Sequence, residues 1–194
     1  AEEWPRLAAE LKTTTGVDVG HEKPGGVHLC LSEAEFEDRR ARMEQMRVEA
    51  GNFGFDYRML GPDALKDMLP GIGPAVVGAS WTPYDGHANS LSLLHALHKG
   101  FVARGGAYLP NSTVDYAAAQ PGDFRLAWGG DEIAAPKIVL AAGLGNAELA
   151  PLFALSAPVR PQRGQSLVTE RVGRVFAMPT TTVRQTVEGG IMIG

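Results

Sequence analysis

The side chains with chemistry to offer are few: five histidines, one cysteine, and serines and aspartates gathered in turns. His87, His95 and His98 fall close together, and the last two share a helical face. No carboxylate or cysteine stands at ligand spacing beside them, so a metal centre is not indicated and they read as partly exposed helix residues. Ser80, Ser90 and Ser92 lie outside any Gly-x-Ser-x-Gly elbow, which removes the usual setting of a hydrolase nucleophile. Asp85, in "TPYDGHANS", precedes a helix, where an aspartate ordinarily bonds a turn or caps. Cys30 sits in an apolar run and reads as inert packing. The run "PKIVLAAGLGN" (136–146) ends in two glycines one residue apart, as nucleotide-binding turns do. The third small position is taken by Glu148, and Pro151, Pro158 and Pro161 fall where a crossover helix would run. It is therefore not a first βαβ unit. Either a buried strand stops at a glycine turn here, or the run is one part of a larger nucleotide site.

The elements that must position these residues alternate. Trp4, Leu7, Ala8 and Leu11 predict an amphipathic helix over 2–12, with Pro5 in its first turn. "GGVHLCL" predicts a strand, and Ser32 with Glu35 forms a capping box opening a helix that presents Phe36, Met43 and Met46 on one face. A strand near 55–59, a short helix over 62–68 and a strand over 75–81 follow. Asn89 or Ser90 caps a third helix, expected to turn Leu91, Leu94, Leu97 and Phe101 inward and to stop at "RGG" (104–106). Beyond it "STVDYAA", "DFRLAW", "DEIAA" and "KIVLAA", separated by "QPGD" and "GGDE", predict a β-meander feeding a buried strand. The tail predicts strands at 166–170, 175–178, 181–187 and 190–193. The fold class is α+β with a mostly antiparallel sheet.

Composition bounds the setting. The chain has 194 residues, 44% of them hydrophobic, enough for a substantial core. A formal charge of −4 and a pI near 5.7 give no electrostatic footprint for nucleic acid or an anionic membrane surface. No apolar run approaches the ~20 residues that span a bilayer. A single cysteine excludes an internal disulfide and points to a reducing, cytoplasmic compartment. The apolar, strand-like ending "GGIMIG" reads as part of a longer chain, whose missing neighbours would leave edges through which copies associate.

Taken in order, "YDGHANSLSLLHALHKGFVARGGAY", "STVDY", "APKIVLAAGLGNAELAPLFAL", "APVRPQRGQSLVTE" and "GGIMIG" resemble the middle of the D-amino acid oxidase superfamily of FAD-dependent oxidoreductases, in its glycine oxidase, sarcosine oxidase and D-amino acid dehydrogenase branch. The resemblance covers nearly the whole chain. It implies FAD as cofactor and oxidation of the C–N bond of a small amine or amino acid by hydride transfer to flavin. It also implies a division into a substrate-domain part (1–88), part of the FAD-binding domain (89–158) and a return to the substrate-domain sheet (159–194). By the resemblance "VLAAGLGN" passes close to FAD, with Ala142 and Gly143 where larger side chains would collide. Val114 marks a backbone contact to the adenine. The family's Gly-x-Gly-x-x-Gly turn and C-terminal third have no counterpart here.

In the glycine oxidase branch an aromatic hydroxyl before "xxP" lies over the flavin and helps hold the substrate carboxylate. Here "VFAMP" puts Phe176 at that place, which makes it the candidate substrate-binding residue. A phenyl ring donates no hydrogen bond, so another group holds the acid or the substrate differs. Phe176 also reads as an ordinary packed strand residue. Two other functions stay open: oxidation of a 2-hydroxy acid or polyol phosphate on the same fold, and a non-catalytic folded module that holds no cofactor.

Overall fold

A computed structural model describes residues 3–194, which divide into two compact units. The larger comprises the chain up to Gly106 together with Gln165–Gly194; the smaller is Ala107–Gly164.

The larger unit is built on a sheet of three antiparallel strands, β1 (Gly26–Cys30), β2 (Arg58–Leu60) and β3 (Gly78–Thr82), in the order β1-β3-β2. Side-chain alternation divides its faces. Val27, Leu60 and Ala79 join Leu65 and Leu69 in one apolar cluster, where Leu65 belongs to a helix, α3 (Pro62–Met68). The opposite face, with Cys30, Gly78 and Ser80, meets α2 (Glu33–Ala50), whose Phe36 ring lies against Gly78 and whose Met43 is fully buried. The Ser32 cap forms as expected, Ser32 Oγ accepting the Glu35 N–H at 3.2 Å, while the return bond of the box falls one residue early, Glu35 Oε2 accepting the Leu31 N–H at 2.7 Å. On its other edge β1 makes a single parallel bridge, Val27 to Thr180, with the Val27 N–H donating to Pro179 O.

Two more helices pack together in this unit, α1 (Glu3–Thr15) and α4 (Ser90–Ala103). Asn89 caps α4 by accepting the Leu91 and Ser92 N–H groups, each at 3.1 Å. The inward face of α4 differs from the sequence expectation. Ala96 and Gly100 are buried and Leu93 packs with them against Leu11 and Val19, while Leu91 and Leu94 stay 78% and 66% exposed. Small residues allow two helices to approach closely, so the contact selects the Leu93–Ala96–Gly100 stripe over the larger leucines.

The tail forms a second antiparallel sheet from β7 (Leu167–Arg171), β8 (Val183–Gln185) and β9 (Gly190–Ile193), in the order β7-β9-β8. The strand expected at 175–178 does not form: these residues are an irregular loop held by a side chain described below.

In the smaller unit β4 (Tyr116–Gln120), β5 (Asp123–Trp128) and β6 (Asp131–Ala135) make the expected meander. Both hairpins have two-residue turns, Pro121-Gly122 and Gly129-Gly130, with positive φ at all three glycines. Phe124 meets Phe153 edge-on, centroids 5.8 Å apart, and a one-turn helix α5 (Asn146–Leu149) follows the glycines. The expected strand over 137–142 is absent. A strand exists through its ladder, and no described residue offers this run a partner; Val139 is 87% exposed.

Candidate functional site

Each candidate residue from the sequence has a definite setting. Phe176 lies in the larger unit, in the loop between β7 and β8, half-buried and outside both apolar clusters. The loop has no ladder of its own and is held by Gln185, a buried residue on β8. Gln185 Oε1 accepts the N–H groups of Val175 (2.8 Å) and Phe176 (3.2 Å). Its amide donates to the carbonyls of Val172, Gly173 and Gly189. One carboxamide thus satisfies five backbone groups of two loops.

Phe176 lines a cleft of about 250 Å³ together with Glu22, Arg174, Gln185 and Glu188. Arg174 donates from Nε to Phe176 O at 3.3 Å and from a terminal nitrogen to Glu22 Oε2, also at 3.3 Å. Glu22 Oε2 is 3.6 Å from His87 Nε2. Burial holds the His87 imidazole below its ordinary pKa; Glu22 pulls it up, and Arg184, Arg174 and His21 push it down. Glu22 and His87 also exchange backbone hydrogen bonds at 2.9 Å, and a Cβ on Gly86 would collide with the Glu22 carbonyl, so this corner accepts only glycine. Sequence reasoning missed Glu22, Arg174 and Gln185. Each is an ordinary polar residue whose partners are remote in sequence.

Val114, Ala142 and Gly143 belong to the smaller unit. Val114 stands just before β4, and its N–H and C=O make no hydrogen bond among the described residues, although neighbouring Asp115 already donates to Ala127 O. An unpaired donor and acceptor on one residue is the equipment for reading a base edge. Ala142 and Gly143 form an exposed turn closed by Asn146, whose Oδ1 accepts the Ala142 N–H at 3.1 Å. Gly143 has φ +58°, and a Cβ built there meets nothing within 4 Å. The turn therefore presents small residues to open space, which fits close approach by a large planar group. No Gly-x-Gly-x-x-Gly turn accompanies it in the sequence, so these residues fit one portion of a dinucleotide cofactor and supply no pyrophosphate cradle.

Among the other candidates, Cys30 is fully buried and its thiol pKa is raised by burial, as expected of packing. His95 and His98 lie on α4, and among the described residues no three His, Cys, Asp or Glu side chains are grouped to hold a metal. Asp85 departs from expectation. Its carbonyl accepts the Gly25 N–H, while its carboxylate bonds neither a turn nor a helix N-terminus, because Asn89 takes the capping role. No described helix is long and apolar enough to cross a membrane.

The chain is 39% identical over all 194 residues to a subunit of the opine oxidase of Agrobacterium tumefaciens (strain Ach5), covering 52% of that protein. It is 27% identical over 165 residues to the glycine oxidase of Geobacillus kaustophilus, covering 84% of this chain and 43% of the relative. The crystal structure of glycine oxidase from Geobacillus kaustophilus superposes with a TM-score of 0.88 at 23% identity, over the whole of this chain and 52% of that one. The chain thus spans about half the length of the opine oxidase subunit and of the solved glycine oxidase. The family model for DAO, FAD dependent oxidoreductase, matches residues 1–194, and the chain belongs to this family of FAD-dependent oxidoreductases.

Proposed function

We propose that this chain is the central part of an enzyme that oxidises the C–N bond of a small amine or amino acid. The observation that carries the reading is the 39% identity, over all 194 residues, to a subunit of an opine oxidase. The glycine oxidase likeness supports the same substrate class. What FAD supplies when bound is a two-electron acceptor for hydride leaving the carbon next to nitrogen.

This chain's own residues orient and enclose. Phe176 gives its cleft an apolar wall, and Arg174, fastened to the Phe176 carbonyl, gives it a cation. Arg174 is the group we assign to the substrate carboxylate in place of the hydroxyl that Phe176 lacks, with Glu22 fixing its position. In the smaller unit the free main-chain pair of Val114 and the open turn at Ala142–Gly143 are assigned to FAD. The test is a chain extended to the length of its relatives, purified and followed at flavin wavelengths. Anaerobic bleaching by amino acids or secondary amines is expected. Bleaching by 2-hydroxy acids or polyol phosphates alone would overturn the substrate class, and a colourless, well-folded protein would overturn the flavin assignment.

A further inference from the structure

On the α2 side of the β1-β3-β2 sheet, a cleft of about 130 Å³ opens between β1 and the Pro179–Thr181 segment. It shares no lining residue with the Phe176 cleft. Arg39 reaches into it from α2. Its Nε donates to Ser80 Oγ at 2.8 Å, and Ser80 is 2% exposed. The other arginines of α2 have partners on their own helix: Arg40 with Glu37, Arg42 with Gln45 and Arg47 with Glu44. Arg39 has no carboxylate within 4.0 Å among the described residues, and its two terminal nitrogens make no hydrogen bond there. A half-buried guanidinium with one neutral partner is an uncommon arrangement, because burial raises the cost of an uncompensated charge.

The second charge in the cleft is Asp85. Its carboxylate also makes no hydrogen bond, and it acts on Arg39 through space without touching it. The remaining polar groups are already engaged. His28 Nδ1 shares a 2.8 Å hydrogen bond with Thr181 Oγ1, and Thr82 Oγ1 is 3.1 Å from Asp56 O. Two opposite charges with spare bonding capacity therefore line one small space. A lone anion would meet Asp85 and a lone cation would meet Arg39. A dipolar ligand satisfies both.

We propose that this cleft binds a small α-amino acid as its zwitterion, the carboxylate on the Arg39 guanidinium and the ammonium on Asp85. The fork of a guanidinium matches a carboxylate in two parallel bonds. At about 30 Å³ per water molecule the space equals roughly four waters, close to the bulk of the smallest amino acids. The site is independent of the C–N oxidation proposed for the Phe176 cleft and needs no flavin.

Calorimetric titration of this chain at low salt with alanine, acetate and methylamine tests it. Alanine should bind saturably, with each half-ligand at least ~10-fold weaker, the loss expected for one charged hydrogen bond. Asp85→Asn, on an exposed loop, should weaken alanine about 10-fold and strengthen acetate, which no longer meets a like charge. Arg39→Gln should weaken both, and Arg39→Lys should retain part of the acetate binding. Far-UV circular dichroism checks the fold of each variant, and Asp85→Asn carries the test alone if Arg39→Gln unfolds. The site is refuted by a native chain that binds no alanine, by acetate binding as well as alanine, or by alanine binding indifferent to Asp85→Asn. Loss of alanine binding in Phe176→Ala alone would move the ligand to the other cleft and refute this one.

Discussion

The side-chain oxygen of Gln185 accepts the backbone N–H of Phe176 at 3.2 Å, so a buried carboxamide on β8 sets where the ring of a loop residue stands. Gln185→Leu removes that acceptor together with four other bonds and strands several backbone groups. At about 1–3 kcal/mol for each group left buried and unsatisfied, less for those that water reaches, a loss of roughly 3 kcal/mol is expected in urea unfolding. Gln185→Glu keeps the acceptor but faces three carbonyls with a carboxylate. It should therefore be less stable at neutral pH than in acid, where the group is protonated. Wild-type stability in both variants would show that the loop is not held this way.

Phe176 itself can be interrogated in a chain extended to the length of its relatives. Phe176→Tyr should favour small, carboxylate-dominated substrates over bulky ones, by at most one charged hydrogen bond, about 1.5–3 kcal/mol. Phe176→Ala should weaken bulky substrates and leave flavin binding nearly intact. The comparison of kcat/KM for a small and a large amino acid is decisive: unchanged ratios accompanied by a lower melting temperature would make Phe176 a packing residue.

For the glycine turn, Ala142 gives the cleaner experiment. Gly143 has a positive φ, so Gly143→Val strains the backbone whatever lies nearby. Ala142 has φ −82°, which valine tolerates, and its side chain is exposed. Ala142→Val in the extended chain should lower FAD occupancy while the melting curve of the flavin-free protein stays put. Full occupancy in Ala142→Val would remove this turn from the cofactor site.

The two partly buried histidines fix a direction for pH. Burial lowers the pKa of His28 and of His87, with Arg39 adding to the effect at His28. Unfolded imidazoles near 6.5 then take up protons before the folded ones. Stability present above pH 6.5 should decline as pH falls from that value toward the folded pKa. Imidazole NMR titrations should give midpoints below 6.5, and Arg174→Gln should raise that of His87. A midpoint at or above 6.5 for His87 would mean that burial does not outweigh the pull of Glu22 there.

Apolar side chains left bare should drive association. Leu91, Leu94 and Val139 are more than half exposed. Light scattering on this chain should show dimers or larger species, reduced by Leu91→Glu with Leu94→Lys. A monomer at high concentration, in the unmodified chain, would speak against it.

Local signals read well from sequence and remote ones did not. The Ser32 cap, the bounds of α3 and the two-residue hairpins of the meander depend on neighbours within a few residues, and they formed where expected. The inward face of α4 depends on what α1 presents, and the apolar run at 137–142 depends on a ladder partner, so periodicity alone misjudged both. The Phe176 loop reads as a strand by composition, yet Gln185 occupies the hydrogen bonds a ladder would use. Nothing in the types or spacing of Glu22, Arg174 and Gln185 announces that they meet.

The bridge between Val27 and Thr180 has a kinetic meaning. It closes a loop of roughly 150 residues, a slow step for any chain, and the whole of Ala107–Gly164 lies inside that loop. The meander within it is made of hairpins, the most local of β contacts, and can form on its own clock. As the chain leaves the ribosome, the enclosed unit is free to fold first, while the free edge of β1 waits for a partner that emerges much later. That edge of β1 therefore stays exposed through much of synthesis, and a chaperone has an open strand edge to protect there.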